Sequence, residues 1–347
     1  MKDIKEFSRQ ELGTWLEKKG IKSFRAGQLF KWIYLRQADD FNQMTDIGKQ
    51  MRDMLSRNFS ISRLVLEKSE MSSDGTEKLL FRLDDNNYIE SVIIPGKERF
   101  TLCISSQVGC QQGCRFCLTA RQGFRRNLTS AEIVSQVRDA ENILAQRVGA
   151  RTATLSNIVF MGMGEPLANY SAVVKSLEVI TDSDYGLKFS PRRVTISTCG
   201  LVPEIRQLNR DTTTNLAVSL NATDDKTRSM LMPVNKRHPL GELLDACREF
   251  KTKPRNRITF EYILIRGIND TKEDAKRLVT LLSPIKAKVN LIPFNPHDKS
   301  DFKRPHPDTI SCFMQILLDS KMTAIIRKSK GDDISAACGQ LKGKVTG

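Results

Sequence analysis

From residue 100 onward, short apolar runs alternate with amphipathic segments, and this rhythm limits the chain to a few folds. The apolar runs are predicted strands at 101–104, 158–161, 193–197, 216–220, 259–265 and 289–293. Helical segments follow them, among them 130–148, 171–181, 272–282 and 309–319, and the capping box Thr129-x-x-Glu132 opens the first. Strands joined by helices run parallel, so the pattern predicts a parallel sheet in an α/β fold.

Two α/β architectures fit such a repeat. A doubly wound open sheet remains possible, but no G-x-G-x-x-G follows the first strand. Chemically interesting residues stand at the end of almost every predicted strand, which is where a TIM-like barrel gathers its active site. The sequence therefore favours a partial (βα)6 barrel.

The first 95 residues follow a different pattern. Helical segments are predicted at 10–19, 25–36 and 47–55, with Ser8 as the cap of the first. Strands at 63–67, 78–83 and 88–94 come next, and the run from Asp84 to Asn87 supplies turn chemistry between the last two. We expect a small helical and β accessory domain over 1–95 and a core domain over 96–347, with Pro95-Gly96-Lys97 at the boundary.

Composition narrows the class of protein. The chain is 39% hydrophobic and 27% charged, as in ordinary globular proteins, and its polar start lacks the apolar core of a signal peptide. We therefore expect a cytoplasmic protein with no membrane segment. A formal charge of +15 favours a nucleic-acid partner, and a basic surface that only serves solubility is the alternative.

Three of the eight cysteines stand in one short stretch, CQQGCRFC, at Cys110, Cys114 and Cys117. Thiolates bind soft or borderline metals, and this spacing lets one loop wrap three sulfurs around a compact site. Structural zinc needs four closed ligands, commonly as two C-x2-C pairs, and this chain has only one such pair. The stretch therefore favours a 4Fe-4S cluster held on three irons, with the fourth iron open to a ligand that is not protein. Structural zinc and chance clustering are the alternatives.

Several further motifs carry a resemblance to a known family. They are FRAGQLFKWIY at 24–34, GFRRNLT at 123–129, MGMGEP at 161–166, SPRRVTIST at 190–198, SLNA at 219–222, PFNP at 293–296 and GDDISAACGQL at 331–341. In this order, and together with the cysteine stretch, they resemble the RlmN/Cfr family of radical S-adenosylmethionine (SAM) RNA adenosine methyltransferases. The resemblance spans most of the chain.

The resemblance implies a set of SAM contacts. In the superfamily, the amino acid end of SAM chelates the open iron, and the cluster's electron cleaves SAM to a 5′-deoxyadenosyl radical. The implied contacts on this chain are Gly164, Glu165, Ser197, Ser219, Leu220, Asn221 and Asn295. Taken singly, each of these residues is explained about equally well as a turn or as a satisfied polar strand end.

The resemblance also implies three catalytic residues. Cys338 would carry a methyl group taken from one SAM, because the electron-poor carbons 2 and 8 of adenine cannot displace it directly. Cys103 would release the methylated base by forming a disulfide with Cys338, and Glu90 would remove the ring proton. By position alone, both cysteines are more typical of buried small hydrophobes and Glu90 of a solvated strand residue. The resemblance implies no role for the other three cysteines, and we expect them only to pack in the core. They are Cys199, Cys247 and Cys312.

The implied substrates are an adenosine of 23S rRNA, methylated at carbon 2, and an adenosine next to the anticodon of tRNA. The base must be unpaired or flipped to react. An electron donor such as flavodoxin or ferredoxin would reduce the cluster. Basic side chains predicted to contact the RNA backbone are Arg121, Arg125, Arg126, Lys328 and Lys330.

Two alternatives stay open at this point. The resistance branch of the family methylates carbon 8, although Pro166 and the segments at 24–34 and 123–129 look like the carbon 2 branch. From another class, a non-enzymatic RNA-binding protein with structural zinc would also explain the charge and the cysteines.

Overall fold

A single ten-stranded sheet runs through the computed structural model, which describes residues 1–97, 99–149, 155–253, 256–297 and 300–343. Its strands, in chain order, are β3 (Val65–Met71), β4 (Glu77–Arg82), β5 (Tyr88–Pro95), β6 (Phe100–Cys103), β9 (Leu155–Phe160), β10 (Val194–Thr198), β11 (Asn215–Ser219), β12 (Ile258–Leu264), β13 (Ala287–Pro293) and β14 (Ala324–Ile326). Two small ladders stand apart from it, formed by β1 (Lys2–Asp3) with β2 (Phe59–Ser60) and by β7 (Gln107–Gly109) with β8 (Phe124–Asn127).

Seven strands of the large sheet are parallel, in the order β6, β9, β10, β11, β12, β13 and β14. All six predicted strands are present, each within three residues of its predicted bounds. Their inward residues, such as Ile196, Val218 and Phe260, are buried. The parallel sheet with its crossover helices confirms the predicted α/β class. The seventh strand was not predicted, since it is short and its residue Ile325 is 53% exposed.

Helices connect these strands and precede them. They are α1 (Arg9–Glu17), α2 (Arg25–Phe30), α3 (Lys49–Asn58), α4 (Leu118–Arg121), α5 (Ser130–Val148), α6 (Tyr170–Thr181), α7 (Val202–Asp211), α8 (Asp225–Leu231), α9 (Leu240–Glu249), α10 (Lys272–Leu282) and α11 (Pro307–Asp319). The predicted capping box opens α5, where the Thr129 hydroxyl accepts from the Glu132 amide and the Glu132 carboxylate accepts from the Thr129 amide. Ser8 caps α1 in the same way, with Glu11 as its partner.

The antiparallel strands β3, β4 and β5 belong to the same sheet as the parallel ones. β5 pairs with β6 in antiparallel register, with Val92 opposite Cys103, so hydrogen bonding crosses the predicted boundary at residue 95. Asn86 takes the left-handed conformation, with φ of 61°, in the predicted turn between β4 and β5. The division into domains 1–95 and 96–347 stays a prediction.

A buried glutamine fastens β5 to the turn after β6. The Gln136 side-chain oxygen accepts from the Ser91 hydroxyl at 2.9 Å and from the Ser105 amide at 2.8 Å. Its nitrogen donates to the Ser105 carbonyl at 2.9 Å. Because the polar atoms of this amide are paired across two strands, helix α5 fixes the end of β6 relative to β5.

A charged network fastens the N-terminal segment to α5. Asp139 accepts from Arg63 Nη1 at 2.6 Å and from the Leu64 amide at 2.9 Å. Arg138, fully buried, donates to the carbonyl oxygens of Gln37 and Ala38. The chain before β3 is therefore held to α5 by hydrogen bonds with charged partners, which are stronger than neutral ones.

No helix within the described ranges is long and apolar enough to cross a membrane. The cytoplasmic location stays a prediction.

The network at Asp139 yields a stability prediction. Replacing Asp139 with Asn removes the charge opposite Arg63 and one of two acceptors, so we expect unfolding to become easier by roughly 2 kcal/mol, as for hydrogen bonds to charged groups. Thermal unfolding followed by circular dichroism measures the loss. The control is Glu249→Gln in the exposed Arg206–Glu249 pair, which should leave the midpoint unchanged. Equal midpoints for Asp139→Asn and the control would contradict the account.

Candidate active site

A two-stranded ladder closes the base of the cysteine loop. β7 ends at Gly109, directly before Cys110, and β8 begins at Phe124 opposite Gly109. The Cys110 amide donates to the Gly123 carbonyl at 3.0 Å. Gly109 has φ of +75°, and a Cβ there would lie 1.9 Å from that carbonyl oxygen, so only glycine fits. This ladder was not predicted, since each strand has only three or four residues.

Helix α8 and the turn after it support the loop from behind. The Arg115 amide donates to the Leu231 carbonyl at 3.0 Å. A Cβ on Gly113 would contact Pro233, which follows the same helix, at 3.6 Å. The cysteine loop is therefore held at its base by β7 and β8 and along its length by the chain near residue 231.

The three loop cysteines line one cavity at the carboxyl ends of the parallel strands. The other residues that line it include Gln112, Phe116, Met161, Gly164, Glu165, Ser197, Cys199, Ser219, Met232, Glu261, Ile263 and Cys338. Carboxyl strand ends are where barrel enzymes place their active sites, as the sequence predicted. All three loop thiols are free, and burial raises the pKa of each.

Four of the seven implied SAM contacts line this cavity, namely Gly164, Glu165, Ser197 and Ser219. The other three stand behind its wall and hold it. Asn221 is fully buried, accepts from the Ile263 amide at 2.8 Å and has φ of +58°. Leu220 is also fully buried, and Asn295 donates to the Cys338 carbonyl at 3.3 Å.

Glu165 is held by backbone amides on both carboxylate oxygens. Oε1 accepts from the Leu167 amide at 3.1 Å and Oε2 from the Cys199 amide at 2.7 Å. Burial raises the pKa of Glu165, and these amide hydrogen bonds oppose the rise. Gly164 before it has φ of +95°, and a Cβ there would lie 2.5 Å from the Gln107 side chain. The backbone amide of Cys199 therefore orients an implied SAM contact, while its side chain packs in the core, as expected.

The C-terminal segment brings Cys338 to the same cavity. The Leu118 amide donates to the Gly339 carbonyl at 2.8 Å, and the Thr119 hydroxyl donates to the Leu341 carbonyl at 2.9 Å. Both donors lie in α4, directly after the last loop cysteine. Cys338 is exposed toward the cavity, so its position as a buried small hydrophobe, expected from sequence position alone, is wrong.

Cys103 lies at the end of β6 and is 6% exposed. Burial, with a smaller contribution from nearby Cys338, raises the pKa of its thiol to about 12. Both thiols are free. The structure thus brings the two implied partner cysteines near one another, although of the two only Cys338 is among the described residues that line the cavity.

Glu90 is 3% exposed, so the solvated position expected from the sequence alone is wrong. Its carboxylate accepts from the Lys342 amide at 2.6 Å, and Lys78 Nζ lies 3.8 Å away. Burial raises the pKa of Glu90, and the Lys78 ammonium opposes the rise. The C-terminal segment covers this carboxylate, which lies beside a second cavity lined by Tyr88, Met163, Lys342 and Gly343, among others.

Two buried polar atoms test whether the first cavity fits a polar ligand. Gln112 Nε2 and Glu261 Oε2 have no hydrogen-bond partner among the described residues, although both side chains line the cavity and are at most 6% exposed. SAM offers a carboxylate as an acceptor, and an ammonium and ribose hydroxyls as donors. One orphaned donor and one orphaned acceptor therefore suit it. Glu261 was not predicted, although a carboxylate inside the apolar run ITFEYIL of β12 is a signal that could have identified it.

Among the described residues, the three loop cysteines are not arranged as the ligands of a single metal ion. Within the part of the chain that the structure describes, no three His, Cys, Asp or Glu side chains converge as the ligands of one metal ion do. Three thiolates that each bind a different iron do not have to converge on one point.

The predicted RNA-contacting basic residues differ in their surroundings. Arg126 forms ion pairs with Asp85 at 2.6 Å and Glu132 at 2.8 Å, which reduces its availability to a phosphate. Arg125 is exposed and lines the second cavity, and Arg121 and Lys328 are also exposed. Lys330 lies 3.5 Å from an Asp74 oxygen.

Comparisons with known proteins match both parts of the chain. The family model described as the ribosomal RNA large subunit methyltransferase N-terminal domain matches residues 2–61. The model of the radical SAM superfamily matches residues 104–279, which include the cysteine loop.

Relatives match nearly the full length. The dual-specificity RNA methyltransferase RlmN of Desulfosudis oleivorans is 55% identical over 98% of this chain and 90% of its own. The protein of the same name from Geotalea uraniireducens is 53% identical over 99% of this chain and 97% of its own. The crystal structure of a radical SAM methyltransferase from Sphaerobacter thermophilus superposes with a TM-score of 0.91 at 42% identity, covering 99% of this chain and 100% of that one.

The loop geometry predicts which cysteines hold iron. Replacing Cys110, Cys114 or Cys117 singly with Ser should abolish the bound iron and sulfide of anaerobically reconstituted protein. The loop has three thiolates and no spare one, so each substitution leaves one iron of the cluster without its protein ligand. Cys312→Ser on α11 is the matched control and should retain both. Iron and sulfide assays with visible absorption measure this. A full complement of iron in any of the three loop variants would contradict the assignment.

Proposed function

This chain belongs to the RlmN family of radical SAM RNA methyltransferases, and we propose that it methylates carbon 2 of an adenosine in 23S rRNA through a methyl group carried on Cys338. An adenosine next to the anticodon of tRNA is the proposed second substrate. The observation that carries the proposal is the position of Cys338, which lines the same cavity as the three loop cysteines.

The family implies a 4Fe-4S cluster and SAM, and the residues present fit both. Cys110, Cys114 and Cys117 would hold three irons of the cluster. Gly164, Glu165, Ser197 and Ser219 would hold SAM from the cavity wall, while Leu220, Asn221 and Asn295 would keep that wall in place. When bound, the cluster supplies the electron that cleaves one SAM to a radical.

The target carbon of adenine is too electron-poor to attack SAM, so Cys338 supplies the nucleophile. Its thiol releases its proton and the sulfur takes the methyl group of one SAM, so that a carbon–sulfur bond forms, the sulfonium bond breaks and S-adenosylhomocysteine leaves. Its exposure to the cavity supports this role, because the methyl donor must reach the sulfur. A second SAM is needed to remove a hydrogen atom from the S-methyl group, so that its carbon can bond to the adenine ring.

Glu90 and Cys103 complete the transfer. Glu90 takes the ring proton, and the one electron that the ring must also lose would return to the cluster. The raised pKa of Glu90 makes it a stronger base than an exposed carboxylate. Cys103 then gives its proton to the methylene carbon while its sulfur bonds to Cys338, which frees methyladenine and leaves a disulfide. An external thiol must reduce that disulfide before the next turnover.

The strand register supports the placement of Glu90. Val92 on β5 pairs with Cys103 on β6, so Glu90 stands two residues beyond the end of β6. The Ser105 hydroxyl donates to the Glu90 carbonyl at 2.6 Å, which ties the two strands together at that point. Glu90 and Cys103 therefore lie on neighbouring strands, at ladder positions two residues apart.

Basic and aromatic groups outside the cavity support an RNA substrate. We assign RNA binding to the accessory domain, 1–95, where a groove is lined by Lys22, Arg25 and Lys49 around Phe24, which is 59% exposed. Exposed aromatic rings among cations stack unpaired bases well. The proposal also includes flavodoxin or ferredoxin as the electron donor and the cytoplasm as the location, where eight cysteines stay reduced.

The position of methylation is the direct test of this proposal. Nucleosides from 23S rRNA and tRNA of a deletion strain, separated by chromatography and identified by mass spectrometry, should lack 2-methyladenosine. A copy of the gene should restore it, and a Cys338→Ala copy should not. Loss of 8-methyladenosine instead would assign the chain to the carbon 8 branch of the family, and no change in either nucleoside would overturn the proposed substrate.

A further inference from the structure

A fully buried arginine stands behind the cysteine loop. Arg228 lies in α8 and has no exposed surface. Gly200, with φ of +111°, makes room for it, because a Cβ there would lie 3.1 Å from Arg228 Nη2. Nothing in the sequence motifs pointed to this residue.

Every hydrogen-bond acceptor of this guanidinium is a neutral oxygen. Nε donates to the Leu220 carbonyl at 3.1 Å, and Nη1 donates to Asn235 Oδ1 at 2.9 Å. Nη2 donates to the carbonyls of Cys199 at 2.7 Å and Ser219 at 3.2 Å. Arg228 therefore fastens the ends of β10 and β11, where the implied SAM contacts lie.

Hydrogen bonds to neutral oxygens leave the charge without a directly bonded anion. In the described ranges Arg228 forms no ion pair within 4 Å, and the nearby carboxylate of Asp225 accepts from Asn235 Nδ2 at 2.9 Å instead. Burying a cation without an anionic partner costs several kcal/mol, on the order of what removing one partner of a buried ion pair costs. Burial lowers the pKa of Arg228, and the nearby groups that oppose the fall most are two buried thiols, Cys199 and Cys114.

Cys114 is an assigned ligand of the cluster, and the cluster with its thiolates would be the anion that Arg228 lacks. Three thiolates outweigh the dipositive core of an oxidised 4Fe-4S cluster, so the assembled unit is anionic, and reduction adds one more negative charge. The backbone contact between the cysteine loop and Leu231, three residues after Arg228, places the two charges on facing elements.

We propose that Arg228 is the buried counter-charge of the iron-sulfur cluster: it raises the cluster's reduction potential by stabilising the more negative, reduced state. It is a positioning residue, since it acts through the cysteine loop and the strand ends. The inference rests on the proposed three-cysteine cluster. Net charge around a cluster is one of the factors that set its potential.

Two variants separate the charge from the hydrogen bonds. Arg228→Gln removes the charge and keeps hydrogen-bonding capacity, while Arg228→Lys keeps the charge and loses most of the hydrogen bonds. Arg206→Gln, at an exposed arginine paired with Glu249, is the control. Each full-length protein is reconstituted anaerobically and titrated without SAM, with the reduced cluster followed by electron paramagnetic resonance.

We expect the midpoint potential of Arg228→Gln to shift to more negative values, while Arg228→Lys and the control stay near wild type. If Arg228→Gln retains no iron while Arg228→Lys does, the charge is needed to hold the cluster, which also supports the inference. Equal potentials in all four proteins, an equal shift in Gln and Lys, or loss of iron from both would overturn it. Wild-type protein without a cluster would instead refute the proposed cofactor site.

Discussion

The antiparallel pairing of β7 with β8 is the constraint on which the rest of the site depends. The two strands approach so closely at Gly109 that no side chain fits there, and the loop between them is forced to project its cysteines into one cavity. Helix α4 begins directly after the last loop cysteine, and its residues Leu118 and Thr119 bind the C-terminal segment. Cys338 thus reaches the cavity through contacts that begin at the cysteine loop.

The C-terminal segment also couples the site to the antiparallel strands. Its Lys342 amide binds Glu90 on β5, and its Ile334 carbonyl accepts from Lys78 on β4. A segment with little regular structure is therefore fixed at both edges of the active site. This connects Glu90 and Cys338, which are distant in sequence, as the proposed transfer requires.

Periodicity predicted the parallel strands well, because β10 alternates buried and partly exposed residues and β12 is a mostly apolar run that is buried almost throughout. It could not predict β7, β8 or β14, whose stability comes from tertiary pairing rather than from their own pattern. The family motifs predicted the residues of the cavity, but not that Asn221 and Asn295 would support its wall. The burial of Glu90 depends on the covering C-terminal segment, which no local pattern at residue 90 can reveal. Arg228 and Glu261 were missed for a related reason. Each is a charged side chain that the fold buries, and a local sequence pattern does not show which charges will be buried.

The central claim is that the methyl group of SAM passes to Cys338, at the cavity, on its way to RNA. Reconstituted protein incubated anaerobically with SAM that carries an isotopically labelled methyl group, without RNA, can be digested and mapped by mass spectrometry. The account predicts label on the peptide that contains Cys338 and on no other cysteine. Label on Cys103 or Cys199, or label that reaches added RNA without ever residing on the protein, would contradict it.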